Sequence, residues 1–189
     1  MRISKKLNIV LPVKTEEHGQ IFVHSVPISR DVFELFYLQL GKVFTQCFEG
    51  VGNAHLALSA PQLAYPALKR LAITEGNWDE KGGVKEGLVN EIIRLTNVQI
   101  SNDKGWDNLP LATVISRQML DEDEESEVLS ALIFFTSISL VAPRDLKKAF
   151  LEMAGSLRNW QLTPLDSTAF IAGLRTSTKE EAMPATVKA

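Results

Sequence analysis

This chain has one cysteine, three histidines and two tyrosines in 189 residues. The single Cys47 excludes an intrachain disulfide framework and fits a reducing compartment. His18, His24 and His55 lie far apart, and no His-x-x-x-His or Cys-x-x-Cys spacing occurs, so a zinc site is not expected. Charge of one sign is lacking too. Twenty Lys and Arg against 23 Asp and Glu leave a net charge of -3, with the basic residues scattered. Neutralising phosphates needs a Lys/Arg excess on one face, so nucleic acid is not an expected partner. No apolar run reaches the roughly 20 residues that cross a bilayer, which sets membrane insertion aside. The basic opening Met1–Lys6 leads into alternation and Pro12, not into the apolar block of a secretory signal, and the expected location is cytosolic.

What the chain does have is an acidic run, Asp121 to Glu127, set before a dense apolar stretch from Val128 to Ala142 and closed by Pro143. Negative charge belongs at a helix start, where unpaired N–H groups and the macrodipole carry partial positive charge. Leu129, Leu132, Ile133, Phe134, Phe135, Ile138 and Leu140 cover every side of the wheel, so this helix is expected to be buried all round. Ahead of it, Leu7, Ile9, Leu11 and Val13 alternate, and Ile21 to Val26 is a second β-prone run. A polar loop with Gly19 joins them, which reads as a hairpin. Pro12 and Pro27 place these strands at an edge or an end.

Ser29 is a candidate N-cap for a helix from Val32 to Phe48. Phe36, Leu40, Val43 and Cys47 form its buried stripe, with Phe33, Tyr37, Phe44 and Phe48 in an adjacent one. Leu56 to Ile73 is helical in pattern but interrupted by Pro61 and Pro66, which predicts two pieces or a kink. Val84 to Leu95 and Leu111 to Leu120 are further helices. Val98 to Ser101 is a candidate short strand, and Gly76–Gly83 and Asn102–Asn108 are loops. Leu146, Phe150, Met153, Leu157 and Trp160 recur at helical spacing, and Thr163-Pro164-Leu165-Asp166 restarts a short helix through Leu174. The expected class is therefore α+β, predominantly α-helical, with an N-terminal β-hairpin followed by a helical bundle-like domain. Residues 1–174 are read as a single globular domain (1–28 hairpin, 29–174 helical), and 175–189 as a flexible C-terminal tail.

No catalytic signature emerges. Consecutive carboxylates on a helix point in different directions, so the acidic run is a solvated helix start and not a metal site. Cys47 lies on a buried stripe with no nearby base. Gly82-Gly83-Val84-Lys85-Glu86-Gly87 lacks the Gly-Lys-Ser/Thr ending of a phosphate loop. Trp78 and Trp106 fall in polar loops, where tryptophan either caps a core edge or contacts a partner. The segment from Trp160 through Leu165 and Phe170 to Leu174, followed by a polar tail, suits either helix-in-groove docking or the closing of the core.

Taken as a whole, the chain resembles the tail assembly chaperones of tailed bacteriophages. The resemblance is carried by the hairpin leading into Pro27-Ile28-Ser29-Arg30-Asp31-Val32-Phe33-Glu34, by Gly87 to Asn97, by Gly105-Trp106, by Leu120-Asp121-Glu122-Asp123 and by the Thr-Ser-Thr-Lys-Glu-Glu tail. It implies a non-enzymatic protein of the host cell cytoplasm, without cofactor or metal, that binds the tape-measure protein, promotes assembly of the tail tube through its tube protein, and self-associates. Trp78, Trp106, Trp160, Leu165, Phe170 and Leu174 are the expected partner-binding residues. Two alternatives stay open: a minor structural component retained in the phage tail, and a small enzyme with an unrecognised site joining groups such as His24 and His55.

Overall fold

Alternation places Ile9, Leu11 and Val13 on one face of a strand, and Ile21 and Val23 on the same face across a turn. The structure is a computed structural model that describes residues 7–48, 54–103, 105–141 and 159–174, with backbone alone at Phe48 and at 54–60. Strands β1 (Asn8–Thr15) and β2 (Gly19–Ser25) pair antiparallel, Leu11 opposite Val23 and Val13 opposite Ile21. The turn between them needs Gly19, whose φ is 67°. The His18 amide donates to the Thr15 hydroxyl at 3.1 Å.

This hairpin does not stand apart. Strand β3 (Thr96–Asn102) pairs with β2, β4 (Gly105–Pro110) with β3, and β5 (Gln161–Thr163) with β1, giving one five-stranded antiparallel sheet in the order β4-β3-β2-β1-β5. The expected predominantly helical class, a hairpin appended to a bundle-like domain over 29–174, is thereby corrected. Three of the five strands lie within the stretch read as helical. Asn102–Asn108 was expected to be a loop because Gly105, Asp107 and Asn108 are turn formers. Pairing of Ser101 with Trp106 and of Gln99 with Asn108 overrides that preference. Three residues of β5 are too few to show any period. Pro12 keeps its edge character, because β5 pairs with Asn8, Ile9 and Val10 only and stops before it.

Helix α1 (Arg30–Phe48) starts at Ser29, whose hydroxyl accepts from the Val32 amide at 3.3 Å. Its stripe Phe36, Leu40, Val43 and Cys47 is buried as the periodicity predicts, but Tyr37 of the adjacent stripe is 53% exposed. The backbone departs from helical values at Phe36 (φ −117°, ψ 15°), kinking the helix there. Helix α2 (Ala54–Thr74) runs as one element through both Pro61 and Pro66, where two pieces or a kink were expected. Its Ala64, Leu68 and Ala72 are fully buried, and that continuous contact face offsets the hydrogen bonds the prolines remove.

Val84–Val89 forms a π-helical turn that runs into α3 (Asn90–Arg94), where a regular helix was expected. The wider turn keeps Val84, Leu88 and Ile92 inside. Helix α4 (Leu111–Ser116) follows Pro110 and stops short of the expected Leu120, with Gln118 at positive φ. Helix α5 (Glu122–Val141) is buried without a break from Val128 to Ile138 and packs on α1, α2 and β1. Its start is a capping box. The Glu124 amide donates to Asp121 Oδ1 at 2.7 Å, and Glu124 Oε2 accepts from the Asp121 amide at 3.0 Å. No described helix is long and apolar enough to cross a membrane. The expected helix through Leu146, Phe150, Met153 and Leu157 and the expected tail 175–189 lie outside the described residues.

Candidate functional site

Helix α5 packs against β1 of the sheet, and α4 against β3 and β4. Exposed apolar side chains lie on α1 (Leu35, Tyr37, Leu38) and on α2 (Leu63, Ile73). On α1, Phe33, Tyr37, Gly41 and Phe44 recur every three or four residues. Together with Leu140 and Val141 at the end of α5 they line an open groove of about 630 Å³. Leu38, on its rim, is 56% exposed and Leu35, one turn earlier, 74%. The groove is nearly without charge. Its lysine, Lys42, is paired with Glu75, which together with Gln39 ties α1 to the end of α2. The Lys42 hydrogen bond holds the Glu75 carboxyl below its usual range. The Thr45 hydroxyl is spent on the Gly41 carbonyl at 3.1 Å. The site therefore offers apolar contact and shape, with no acid–base pair.

The expected partner-binding residues divide into three places. Trp78 is buried at 8% exposure, tilted against Tyr65 with ring centroids 6.2 Å apart and with Lys69 Nζ 5.9 Å from its ring. It is packed at the edge of the core. Trp160 packs edge-on against Phe134 of α5 at 6.1 Å. The Leu165 side chain is 46% exposed, whereas Trp106 and Phe170 meet Phe22 on the sheet's outer face. There the segment 161–174 lies across the strands as a strap, with α6 (Ser167–Gly173) started by the Asp166 side chain accepting from the Ala169 amide at 2.8 Å.

One carbonyl of the strap takes two side chains of the sheet. Asn8 Nδ2 donates to Leu165 O at 2.8 Å, and His24 Nε2 reaches the same oxygen at 2.9 Å. Since a carbonyl only accepts, the His24 proton sits on Nε2. Phe170 meets Phe22 edge-on at 5.8 Å and lies tilted against His24 at 6.2 Å, while Trp106 lies tilted against Phe22 at 5.4 Å. Asn108 donates to the Ser167 hydroxyl at 3.2 Å. Leu174 closes α6, half-buried. His24 is thus a strap anchor on the face away from the groove, and His18 lies in the hairpin turn. The His55 side chain is outside the described set.

Other chemical candidates are accounted for by structure. Burial pushes the Cys47 thiol up to about 11, which keeps it overwhelmingly protonated at neutral pH. The Gly82 amide, which a phosphate loop would offer to an anion, donates to Glu86 Oε2 at 2.6 Å. Among the described residues no group of three His, Cys, Asp or Glu side chains could hold a metal ion. Sequence reasoning missed the exposed face of α1. The available signals were an apolar surface wider than a helix can bury on one side and a glycine, Gly41, in mid-helix. Comparison of the chain with protein-family models, with curated proteins and with solved structures returned no match.

Proposed function

We propose that this protein is a non-enzymatic assembly chaperone of a bacteriophage tail, acting in the host cell cytoplasm on the tape-measure protein and through it on the tube protein. The observation that carries the reading is the groove of α1 and α5, about 630 Å³, apolar and nearly uncharged, with Tyr37 and Leu38 exposed beside it. A groove of this kind takes the apolar face of a helix, anchored at positions three and four residues apart. A long helical client repeats such a face many times. Several chaperone copies, each held weakly, then keep it from aggregating through multivalency. Contact is apolar and needs no nucleotide, metal or cofactor. Trp106 of β4, Phe170 and the Leu165 carbonyl play a structural part in this reading, as do Trp78 and Trp160.

The test is co-expression with a tape-measure protein from the same source, followed by pull-down and sedimentation. Wild-type protein is expected to hold the client in the supernatant. Leu38→Lys, at an exposed position, is expected to lose the client while remaining folded. A folded wild-type protein that neither binds nor solubilises the client overturns the proposal and leaves a component of the tail particle as the better reading.

A further inference from the structure

We propose that a second copy of this chain covers the groove when no client fills it. The two α1 helices cross antiparallel about a two-fold axis that sets each Leu38 over the other copy's Gly41. This rests on the groove being the client's seat, and it supplies the regulation of that seat: client and second copy compete for one surface.

Gly41 is the observation that calls for an occupant. A glycine in a helix interior costs about 1 kcal/mol relative to alanine. Gly83 and Gly87 are required by close neighbours within the chain. At Gly41, by contrast, an added Cβ would meet nothing within 4 Å. No contact made by the described residues needs the missing side chain. A glycine on an open helix face admits another backbone at close range, which is the role small residues have at helix crossings.

The choice of a second copy follows from what stands beside that hole. Leu38 is 56% exposed and lies three residues before Gly41 on the same face, so α1 carries a knob and a hole one turn apart. A two-fold contact requires that residue i meet j while j meets i. An axis midway between Leu38 and Gly41 satisfies this: each leucine enters the other glycine's gap, and each Tyr37 lies beside the other Lys42. Charge agrees. From Leu35 to Thr45 the helix has one ionisable cation, Lys42, which Glu75 already pairs, and Arg30 pairs with Glu34 at 2.7 Å. Two such faces meet without an uncompensated charge. The 19 residues of α1 span about 28 Å. The end of α5, with Leu140 and Val141, lies alongside it.

The experiment is sedimentation velocity of the full chain alone over a range of concentrations, with thermal unfolding in parallel. Wild-type protein is expected to be a reversible dimer. Gly41→Leu fills the hole and improves helix propensity, so it is expected to weaken dimerisation roughly tenfold or more while raising the unfolding midpoint of the monomer. Leu38→Lys is expected to weaken dimerisation with the midpoint unchanged. A wild-type protein that is monomeric throughout overturns the inference. If Gly41→Leu then lowers the midpoint, another segment of the same chain fills the groove. If the midpoint rises, the groove is open. A dimer that survives both substitutions also overturns it, since the contact lies elsewhere. The client assay is independent: a dimer without client binding removes the chaperone reading and leaves the α1 contact standing, and client binding by a monomer does the reverse.

Discussion

Gly83 and Gly87 are held in place by what surrounds them. A Cβ on Gly83 would lie 2.3 Å from the Asn77 carbonyl oxygen and 2.9 Å from that of Glu80, and backbone cannot retreat as a side chain can. On Gly87 it would lie 2.6 Å from the Phe36 ring, at the kink of α1. Gly83→Ala is expected to destabilise by about 1–3 kcal/mol, the usual cost of overpacking, measured by urea unfolding. Gly87→Ala is expected to cost less, because the Phe36 ring can turn. Cys47 carries a pH prediction. Burial raises its thiol from the ordinary 9.0 to about 11. A raised folded-state value means the contribution is fully present below about 9 and is lost as pH climbs through about 11, because the unfolded chain ionises first. Cys47→Ala is expected to flatten the fall in stability across that window relative to wild type. Alkylation of the native thiol at neutral pH is expected to be slow, and fast only after denaturation.

Among the elements, α5 is the one on which the others depend. Phe135 is 3% exposed within the unbroken buried run, and its neighbours are apolar. Phe135→Asp puts a carboxylate there without a partner, and the expected result is loss of soluble, cooperatively folding protein. A soluble variant with a sharp unfolding transition would contradict the burial of this helix. The strap is the opposite kind of element, short, half-exposed and secured at few points. Replacing both Asn8 and His24 by alanine removes the two donors to Leu165 O. The expected loss is about 1–3 kcal/mol, read as faster amide exchange across 161–174, with protection of α5 unchanged. Binding at the groove should be unaffected, because strap and groove lie on opposite sides of the sheet–helix layers.

At the scale of the molecule, α5 packs on β1 and α4 on β3 and β4, the segment 164–174 lies against Asn8, Phe22 and His24, and the outer side of α1 is left with Leu35, Tyr37 and Leu38 in water. Exposed apolar side chains grouped on one helix face are the kind of surface on which association occurs.

The local decisions were written in the chain. The Ser29 cap, the stripe Phe36-Leu40-Val43-Cys47, the all-apolar α5 with its acidic start and the Asp166 restart each depend on residues within a few positions of one another, where capping and burial period act directly. The hairpin was legible for the same reason. The rest depended on partners far away in sequence. Gly105-Trp106-Asp107-Asn108 becomes a strand only because β3 offers it a ladder and Phe22 a ring to cover. Three residues at 161–163 become β5 only because β1 has a free edge there. Trp78, in a polar loop, is buried because Tyr65 and Lys69 arrive from α2. Whether Tyr37 and Leu38 were core or surface could not be read from a helical wheel, because the wheel gives the direction of a side chain and only the packing of α2 and α5 decides which directions are already filled.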